Sequence, residues 1–170
     1  PREIETPGQK TIEEVGKMLD LPAGAMIKAL SQVTEDGEFV LVLIRGDHQL
    51  NEIKLQNTLG KPSRPAGVEE IAEKLGPIGY IGPVGAEVRI LMDEAIEGGG
   101  YVCGANREGF HLEGVEPGRD FDFESVDVRT VLAGDTTESG AVISIEPAIE
   151  AANIFKLGTK YSVPLGASFL

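Results

Sequence analysis

Two apolar runs that flank one short turn constrain the fold of this chain most. Residues 26–33 and 39–44 have the length of strands, and Glu35-Asp36-Gly37 lies between them. Glycine reaches the positive φ that a tight turn requires, so this spacing predicts a β-hairpin. The chain is 41% apolar but 5% aromatic and contains no Trp, so we expect one core built from aliphatic side chains.

Helical segments alternate with further strand-like runs. Thr11 and Glu14 have the spacing of a capping box before a short helix, and Asn51 can cap a second helix that reaches Leu59. A third helix is predicted to end at Gly76-Pro77. More strands are predicted at residues 87–92, 101–104, 110–115 and 142–145. The sequence therefore predicts an α/β or α+β domain around a mixed sheet.

Charge and cysteine content exclude several functional classes. The formal net charge is −13, whereas proteins that grip a nucleic-acid backbone neutralise its phosphates with Lys and Arg. This argues against a module that binds RNA by itself, and leaves open an enzyme that touches only the end of an RNA held by other domains. Cys103 is the single cysteine, which excludes an internal disulfide and a cysteine-based zinc site. No secretory run or apolar segment of about 20 residues is present, so we expect a cytoplasmic chain outside the membrane.

Lys28 is a charged residue inside the apolar segment Ala25–Leu30. Most lysines are exposed, so one interpretation is a strand residue on the solvated face. The other is a cation at the mouth of a site, where it would hold a phosphate or stabilise an oxyanion. The residues alone leave both interpretations open.

Imidazole chemistry is confined to His48 and His111, the two histidines of the chain. Neither has the spacing of a zinc-binding pair, and the sequence contains no G-x-S-x-G nucleophile elbow. We therefore expect no catalytic metal and no covalent triad. A hydrogen-bonding role in a loop is the simpler interpretation of His48, and a satisfied strand histidine is the simpler interpretation of His111.

A glycine-containing loop and a strand-end carboxylate are the remaining candidates. Gly79-Tyr80-Ile81-Gly82-Pro83 is either an ordinary turn or a loop whose backbone amides bind a ligand oxygen. Asp93 follows the apolar run 88–92 and is either a structural cap or a carboxylate of the site.

An ordered set of short motifs runs through almost the whole chain. In their order and separation they resemble the editing insertion domain of bacterial-type prolyl-tRNA synthetases, a YbaK-like aminoacyl-tRNA deacylase domain. Residues 136–146 and 149–155 depart from the family's pattern. The motifs are Thr6-Pro7-Gly8, Arg45-Gly46-Asp47-His48, Gly82-Pro83-Val84-Gly85, Gly104-Ala105-Asn106, Arg119-Asp120-Phe121 and the segment Phe155–Ser162.

The resemblance implies a fold and a set of site residues. The fold is a central mixed, partly barrel-like β-sheet flanked by helices. Lys28 and Asp93 are expected to be catalytic, and His111 is expected to bind substrate together with Gly79, Gly82 and Pro83. No metal or cofactor is implied for editing, because ATP and magnesium belong only to the full synthetase.

The resemblance also implies a function and a domain division. Residues 1–150 would form the editing domain, and residues 151–170 would re-enter the class II catalytic core. The domain would hydrolyse the ester of alanine mischarged onto proline tRNA, without aminoacylating by itself. Its partners would be the acceptor end of that tRNA and the rest of a synthetase chain that forms a homodimer. A free-standing trans-editing deacylase and a non-catalytic tRNA-positioning module are the alternatives.

Overall fold

The computed structural model describes residues 1–166 and contains two units. The first is Pro1–Thr130, and the second is Val131–Leu170, described as far as Gly166. The domain boundary near residue 150 that the sequence suggests stays a prediction.

All helices and strands of the described chain lie in the first unit. The helices are α1 (Ile12–Leu19), α2 (Glu52–Leu59) and α3 (Val68–Lys74), and a short 3₁₀ turn covers Ala23–Ala25. The strands are β1 (Arg2–Glu5), β2 (Ile27–Thr34), β3 (Phe39–Arg45), β4 (Ser63–Pro65), β5 (Arg89–Asp93), β6 (Tyr101–Gly104), β7 (Phe110–Val115) and β8 (Glu124–Val126).

Two sheets organise these strands. The larger has the order β4-β2-β3-β5-β8, in which β2 and β3 form the predicted antiparallel hairpin and β5 runs parallel to both β3 and β8. The smaller is antiparallel with the order β1-β7-β6. An isolated parallel bridge between Met26 and Val102 links them. Within residues 1–166 the sheets do not close into a barrel, and the mixed α/β class predicted from the sequence is confirmed.

Strand β3 is the centre of the core because both of its faces are covered. Leu41 and Leu43 pack on one side with Ile90 and Met92 of β5. Val42 and Ile44 pack on the other side, where α2 contributes Leu55 and Leu59. Such double burial explains why this run is continuously apolar instead of alternating.

Local signals predicted the starts of α1 and α2 and the hairpin turn correctly. Thr11 and Glu14 form the capping box of α1, and the Asn51 side chain accepts from the Ile53 and Lys54 amides at the start of α2. Gly37 has φ 87° in the turn between β2 and β3. The strand predicted at 142–145 is wrong, because Val142 makes only one isolated bridge, to Thr136. Alternating apolar residues form a strand only where a partner strand accepts their backbone bonds.

The second unit is built from turns in its described part. The Gly134 amide donates to the Ile143 carbonyl, and the Ile143 amide donates to the Asp135 carbonyl. Several large apolar side chains of this unit are strongly exposed, among them Ile149, Ile154 and Phe155. In residues 1–166 no helix combines the length and apolar character needed to cross a bilayer.

A close approach of two backbones fixes the loop before β5 to the end of β6. A Cβ atom on Gly82 would lie 2.0 Å from the Gly104 carbonyl oxygen, and one on Gly104 would lie 2.2 Å from the Tyr80 carbonyl oxygen. Real Cβ atoms do not approach other atoms so closely, so both positions require glycine. The Asn106 side chain completes the join by accepting from the Gly82 amide at 2.8 Å and donating to the Gly82 and Val84 carbonyls at 3.0 and 3.1 Å.

We predict that Gly82→Ala destabilises the chain by about 3 kcal/mol or more, the upper end of ordinary overpacking, because the methyl group meets backbone and not a movable side chain. Gly85→Ala is the matched control: its Cβ would meet nothing within 4 Å, and its φ of 75° leaves only backbone strain of about 1–2 kcal/mol. Urea denaturation of both variants checks this. An equal loss in the two variants would contradict the proposed steric constraint.

Candidate functional site

A pocket of about 200 Å³ lies between α1, the start of β2, the end of β6 and the loop of residues 79–83, called the Gly79 loop below. This is smaller than the roughly 300–1,000 Å³ of pockets for drug-sized ligands, so it suits a small chemical group. It is lined by Lys10, Thr11, Ile12, Val15, Met26, Ile27, Lys28, Ala29, Ile78, Gly79, Ile81, Val102, Cys103, Gly104 and His111.

The pocket meets β2 along its edge. Side chains alternate between the two faces of a strand, so three consecutive residues, 27–29, can line one cavity only from the strand edge. The Gly46 amide donates to the Met26 carbonyl, which places the even-numbered residues of β2 in the hydrogen-bonded pairs with β3. Ala29 therefore directs its amide and carbonyl away from β3. Strand β4 pairs with β2 only at residues 32–34, so the pocket borders backbone groups of Ala29.

Lys28 is half-buried, and its side chain is held by the loop after β3. Its Nζ donates to the His48 carbonyl oxygen at 2.9 Å. An ammonium has three N–H donors, so this bond leaves two for a ligand. The loop is itself braced, because Arg45 donates to both Asp47 carboxylate oxygens, at 2.7 and 3.0 Å, and to His48 Nε2 at 3.0 Å.

The Arg45 contact also fixes the state of the His48 ring. A guanidinium can only donate, so Nε2 must accept and the ring proton resides on Nδ1. Burial, followed by the positive charge of Arg45, lowers the pKa of His48 below its usual value. His48 is therefore a neutral loop histidine whose carbonyl positions Lys28, which agrees with the hydrogen-bonding role that its sequence context favours.

His111 forms one wall of the pocket and is fixed from two sides. Its Nδ1 lies 2.6 Å from the buried Thr6 hydroxyl, and the Tyr80 ring packs against it edge-on with centroids 5.6 Å apart. Burial lowers the pKa of His111, so the imidazole is neutral at neutral pH. A neutral ring held in this way can shape a cavity and offer Nε2 for a hydrogen bond.

The Gly79 loop forms the facing wall. Gly79 has φ 92°, and a Cβ there would lie 2.7 Å from Cβ and Cγ of Lys10, so the loop packs directly against the Lys10 stem. The backbone amide of Asn106 donates to the Tyr80 carbonyl at 2.8 Å, which connects the middle of this loop to the β6–β7 turn. Asn106 adopts the left-handed conformation, φ 54°, that asparagine tolerates better than most residues.

Three of the predicted site residues line the pocket, and three do not. Lys28, Gly79 and His111 are brought together around it. Gly82 and Pro83, the last two residues of the loop, are buried, and the Gly82 amide donates to the Asn106 side chain. Asp93 is also outside the lining and is buried, where it accepts from the amides of Ala95 at 3.0 Å and of Val128 and Arg129 at 2.8 Å each. The structure thus gives Asp93 the capping role that the sequence left open, and the site roles of all six residues stay predictions.

The remaining chemical groups near the pocket are inert or sparse. Burial raises the pKa of the Cys103 thiol to about 12, so this sulfur is a poor nucleophile at neutral pH. Residues 1–166 contain no group of three or more His, Cys, Asp or Glu side chains arranged to hold a metal ion.

Sequence reasoning missed the residues that support the pocket walls, namely Thr6, Lys10, Tyr80 and Asn106. Thr6 and Asn106 belong to motifs that carry the family resemblance, which was a usable signal. Their partners are distant in the chain, 105 residues for Thr6 and His111 and 24 for Gly82 and Asn106, so no local periodicity reveals them.

The family model of the aminoacyl-tRNA editing domain matches residues 6–121, which span α1 to β7 and every residue that lines the pocket. The chain belongs to the aminoacyl-tRNA editing domain family. This confirms the family that the sequence motifs predicted.

Similar full-length proteins place the editing domain within longer chains. This chain is 41% identical over 175 residues to the proline–tRNA ligase of Trichlorobacter lovleyi, and the alignment covers 98% of this chain and 30% of that protein. It is 44% identical over 176 residues to the proline–tRNA ligase of Citrifermentans bemidjiense, with the same coverage of 98% and 30%. The chain thus spans about a third of the length of the curated relatives that it matches.

Solved structures support the fold. One described as a "putative trans-editing enzyme for prolyl tRNA synthetase" superposes with a TM-score of 0.63 and 23% identity, covering 76% of this chain and 87% of that one. A scaffold used for computational epitope grafting superposes with a TM-score of 0.66 and 18% identity, covering 77% and 87%. At these identities the likeness shows the fold alone.

We predict that Asp93→Asn lowers the free energy of unfolding by about 1–3 kcal/mol, because an amide nitrogen would face backbone N–H groups that now have a carboxylate acceptor. Asp127→Asn is the control. Its exposed carboxylate pairs with Lys54, and losing such a pair changes stability by about 1 kcal/mol or less. Chemical denaturation and deacylation assays are run together. Unchanged stability with abolished hydrolysis would contradict a structural role and establish a catalytic one.

The two histidines predict a loss of stability between pH 6.5 and 5.5. Both have folded-state pKa values below the ordinary value of 6.5. Above pH 6.5 the histidines are neutral in the folded and in the unfolded chain. Below pH 6.5 they are protonated first in the unfolded chain, which stabilises the unfolded state. Stability then falls as pH falls, by up to about 1.4 kcal/mol per pH unit for each histidine. Ion pairs hold the pKa of Asp36, Glu70 and Asp120 to about 2, so their contribution is lost at lower pH.

Denaturation midpoints at pH 7.5, 6.5 and 5.5 measure this dependence. His111→Gln should flatten the curve, because glutamine does not titrate. A midpoint that stays constant or rises as the pH is lowered to 5.5 would contradict burial of neutral imidazoles.

Proposed function

We propose that this editing domain hydrolyses the ester that joins alanine to proline tRNA. The observation that carries the proposal is the small pocket in which Lys28, Gly79 and His111 meet, in a chain whose relatives are proline–tRNA ligases. A ligase site shaped for proline cannot exclude a smaller amino acid by size, because each missing methylene is worth only about 1–3 kcal/mol. A second, smaller pocket is then needed to remove the error.

This second pocket can exclude the larger amino acid, whereas a site shaped for proline cannot exclude the smaller one. Its walls are fixed by contacts that leave little room for expansion: Thr6 and Tyr80 hold His111, and Asn106 holds the facing loop. We expect the part of the pocket beside His111 to accept a methyl side chain and to exclude the pyrrolidine ring of proline. Packed interiors resist that kind of expansion by about 1–3 kcal/mol.

The reaction we propose is attack of water on the aminoacyl ester carbon. The C–O bond to the ribose breaks, the ribose oxygen takes a proton, and alanine leaves with the oxygen of the water. Lys28 offers two N–H donors and a positive charge to the developing oxyanion or the adjoining phosphate. Ala29, which lines the pocket on β2, provides backbone groups that can orient the ester. The role of Asp93 is to hold the carboxyl end of β5 to the segment after β8, through its three amide contacts.

Features of the second unit support a larger parent enzyme. Ile149, Ile154 and Phe155 are 95%, 93% and 73% exposed, and apolar side chains this exposed favour a segment that packs on another part of a protein. We propose that residues 151–170 re-enter the catalytic core of a homodimeric, cytoplasmic proline–tRNA ligase. That enzyme would use ATP and magnesium, whereas editing would require neither and would involve only the acceptor end of the tRNA.

Lys28→Ala tests the proposal. Removing a preorganised electrostatic contact from an oxyanion costs about 10²–10³ in rate, so deacylation of alanyl proline-tRNA should fall by that factor. No apolar core atom is removed, so the melting temperature should hardly change. Lys28→Arg should restore only part of the activity, because a planar guanidinium does not occupy the place of a compact ammonium.

Lys54→Ala is the control, because its ammonium pairs with the exposed Asp127 and lies outside the pocket lining. Its deacylation rate should equal that of the parent chain. Near-normal hydrolysis by Lys28→Ala would remove Lys28 from the mechanism, and a collapsed melting transition would identify Lys28 as a structural lysine.

A further inference from the structure

The ion pairs of the first unit do not include the two lysines that line the pocket. Lysine and arginine in that unit are mostly neutralised by nearby carboxylates. Those that form ion pairs are Arg2, Arg45, Lys54, Lys61, Arg64, Lys74, Arg89, Arg107 and Arg119.

Lys10 and Lys28 differ from that pattern, as does Lys17, which lies outside the pocket lining. Neither Lys10 nor Lys28 forms an ion pair with a carboxylate of residues 1–166, and both line the pocket. The lining contains no Asp or Glu, although the whole chain has a net charge of −13. Two lysines that form no ion pair, at one concave site whose lining has no carboxylate, favour the binding of an anion there.

Lys10 is placed for this role by its stem. The side chain packs against Gly79, whose lack of a Cβ leaves the space that the methylene groups occupy. The ammonium lies 5.8 Å from the centre of the Tyr80 ring, and Lys10 as a whole is exposed. The Lys10 amide donates to Glu14 Oε2 at 2.9 Å, which fixes the backbone at the start of α1. The stem is therefore supported by the protein while the charge remains accessible to a ligand.

We propose that Lys10 binds the phosphate of the terminal nucleotide that carries the aminoacyl group, and so positions the ester beside Lys28. This inference rests on the proposed function, because it takes the substrate to be an aminoacylated RNA end. The phosphate on the 5′ side of the terminal adenosine is the anion that accompanies the ester in every such substrate. Lys10 is then a binding residue at the rim, and Lys28 remains free for the ester.

Binding of a non-hydrolysable mimic tests the proposal. The probe is 3′-alanylamino-3′-deoxyadenosine, prepared with and without a 5′-phosphate, and its dissociation constant is measured by calorimetry with the 170-residue chain. The amide resists hydrolysis, so the measurement reports binding alone. An exposed ion pair contributes about two- to fivefold in affinity, so the 5′-phosphate should tighten binding by this factor or more in the parent chain.

Lys10→Gln should abolish or halve that gain, and Lys10→Arg should preserve it. Lys17→Gln is the matched control: Lys17 is another exposed lysine, on α1, that forms no ion pair among residues 1–166, and it lies outside the pocket lining. It should leave the gain unchanged. The gain should also shrink as salt concentration rises.

Two results would overturn the proposal. One is a parent chain that binds both probes equally, and the other is a phosphate-dependent gain that Lys10→Gln leaves intact. Hydrolysis of alanyl proline-tRNA by the parent chain is measured separately. A Lys10-dependent gain in affinity from the 5′-phosphate, without hydrolysis, would reject the proposed reaction and keep the anion site. Hydrolysis without that gain would keep the proposed reaction and reject the anion site.

Discussion

The pocket depends on the close approach of the Gly82 backbone to the Gly104 carbonyl. This contact leaves no space for a side chain on either residue, and Asn106 holds it with hydrogen bonds to the Gly82 amide and carbonyl. Because the same asparagine also binds the Tyr80 carbonyl, the loop is fixed on both sides of its apex. Tyr80 in turn contacts His111, so one backbone junction sets the positions of two opposite walls. Both walls therefore depend on the contact between this loop and the end of β6.

Electrostatics gives this pocket a character that the whole chain lacks. A strongly acidic surface opposes RNA along its length, whereas a small region with two lysines and no carboxylate attracts an anionic end. His111 is kept neutral by burial and contributes shape instead of charge. This division agrees with the proposed function, in which the domain contacts only the terminus of a large polyanion.

The parts of the structure that local chemistry decides could be predicted from the sequence. The capping box of α1, the Asn51 cap of α2, the turn at Gly37 and the central hairpin are specified by neighbouring residues, and the structure contains them. Contacts between distant segments could not be derived in this way. The Thr6–His111 hydrogen bond spans 105 residues, and the three amides that bind Asp93 come partly from a segment 35 residues later. The run at 142–145 has strand-like composition but no partner strand, which is why its prediction failed.

The ratio of deacylation rates for alanyl and prolyl proline-tRNA tests the central claim most directly. Both esters share the same RNA, so every contact outside the side-chain pocket is held constant. If the walls fixed by Asn106 and Thr6 select for a methyl group, this chain or its parent enzyme will hydrolyse the alanyl ester at least about tenfold faster in kcat/KM, which corresponds to about 1.4 kcal/mol. Equal hydrolysis of the two esters, or faster hydrolysis of the prolyl ester, would contradict a pocket that selects by size.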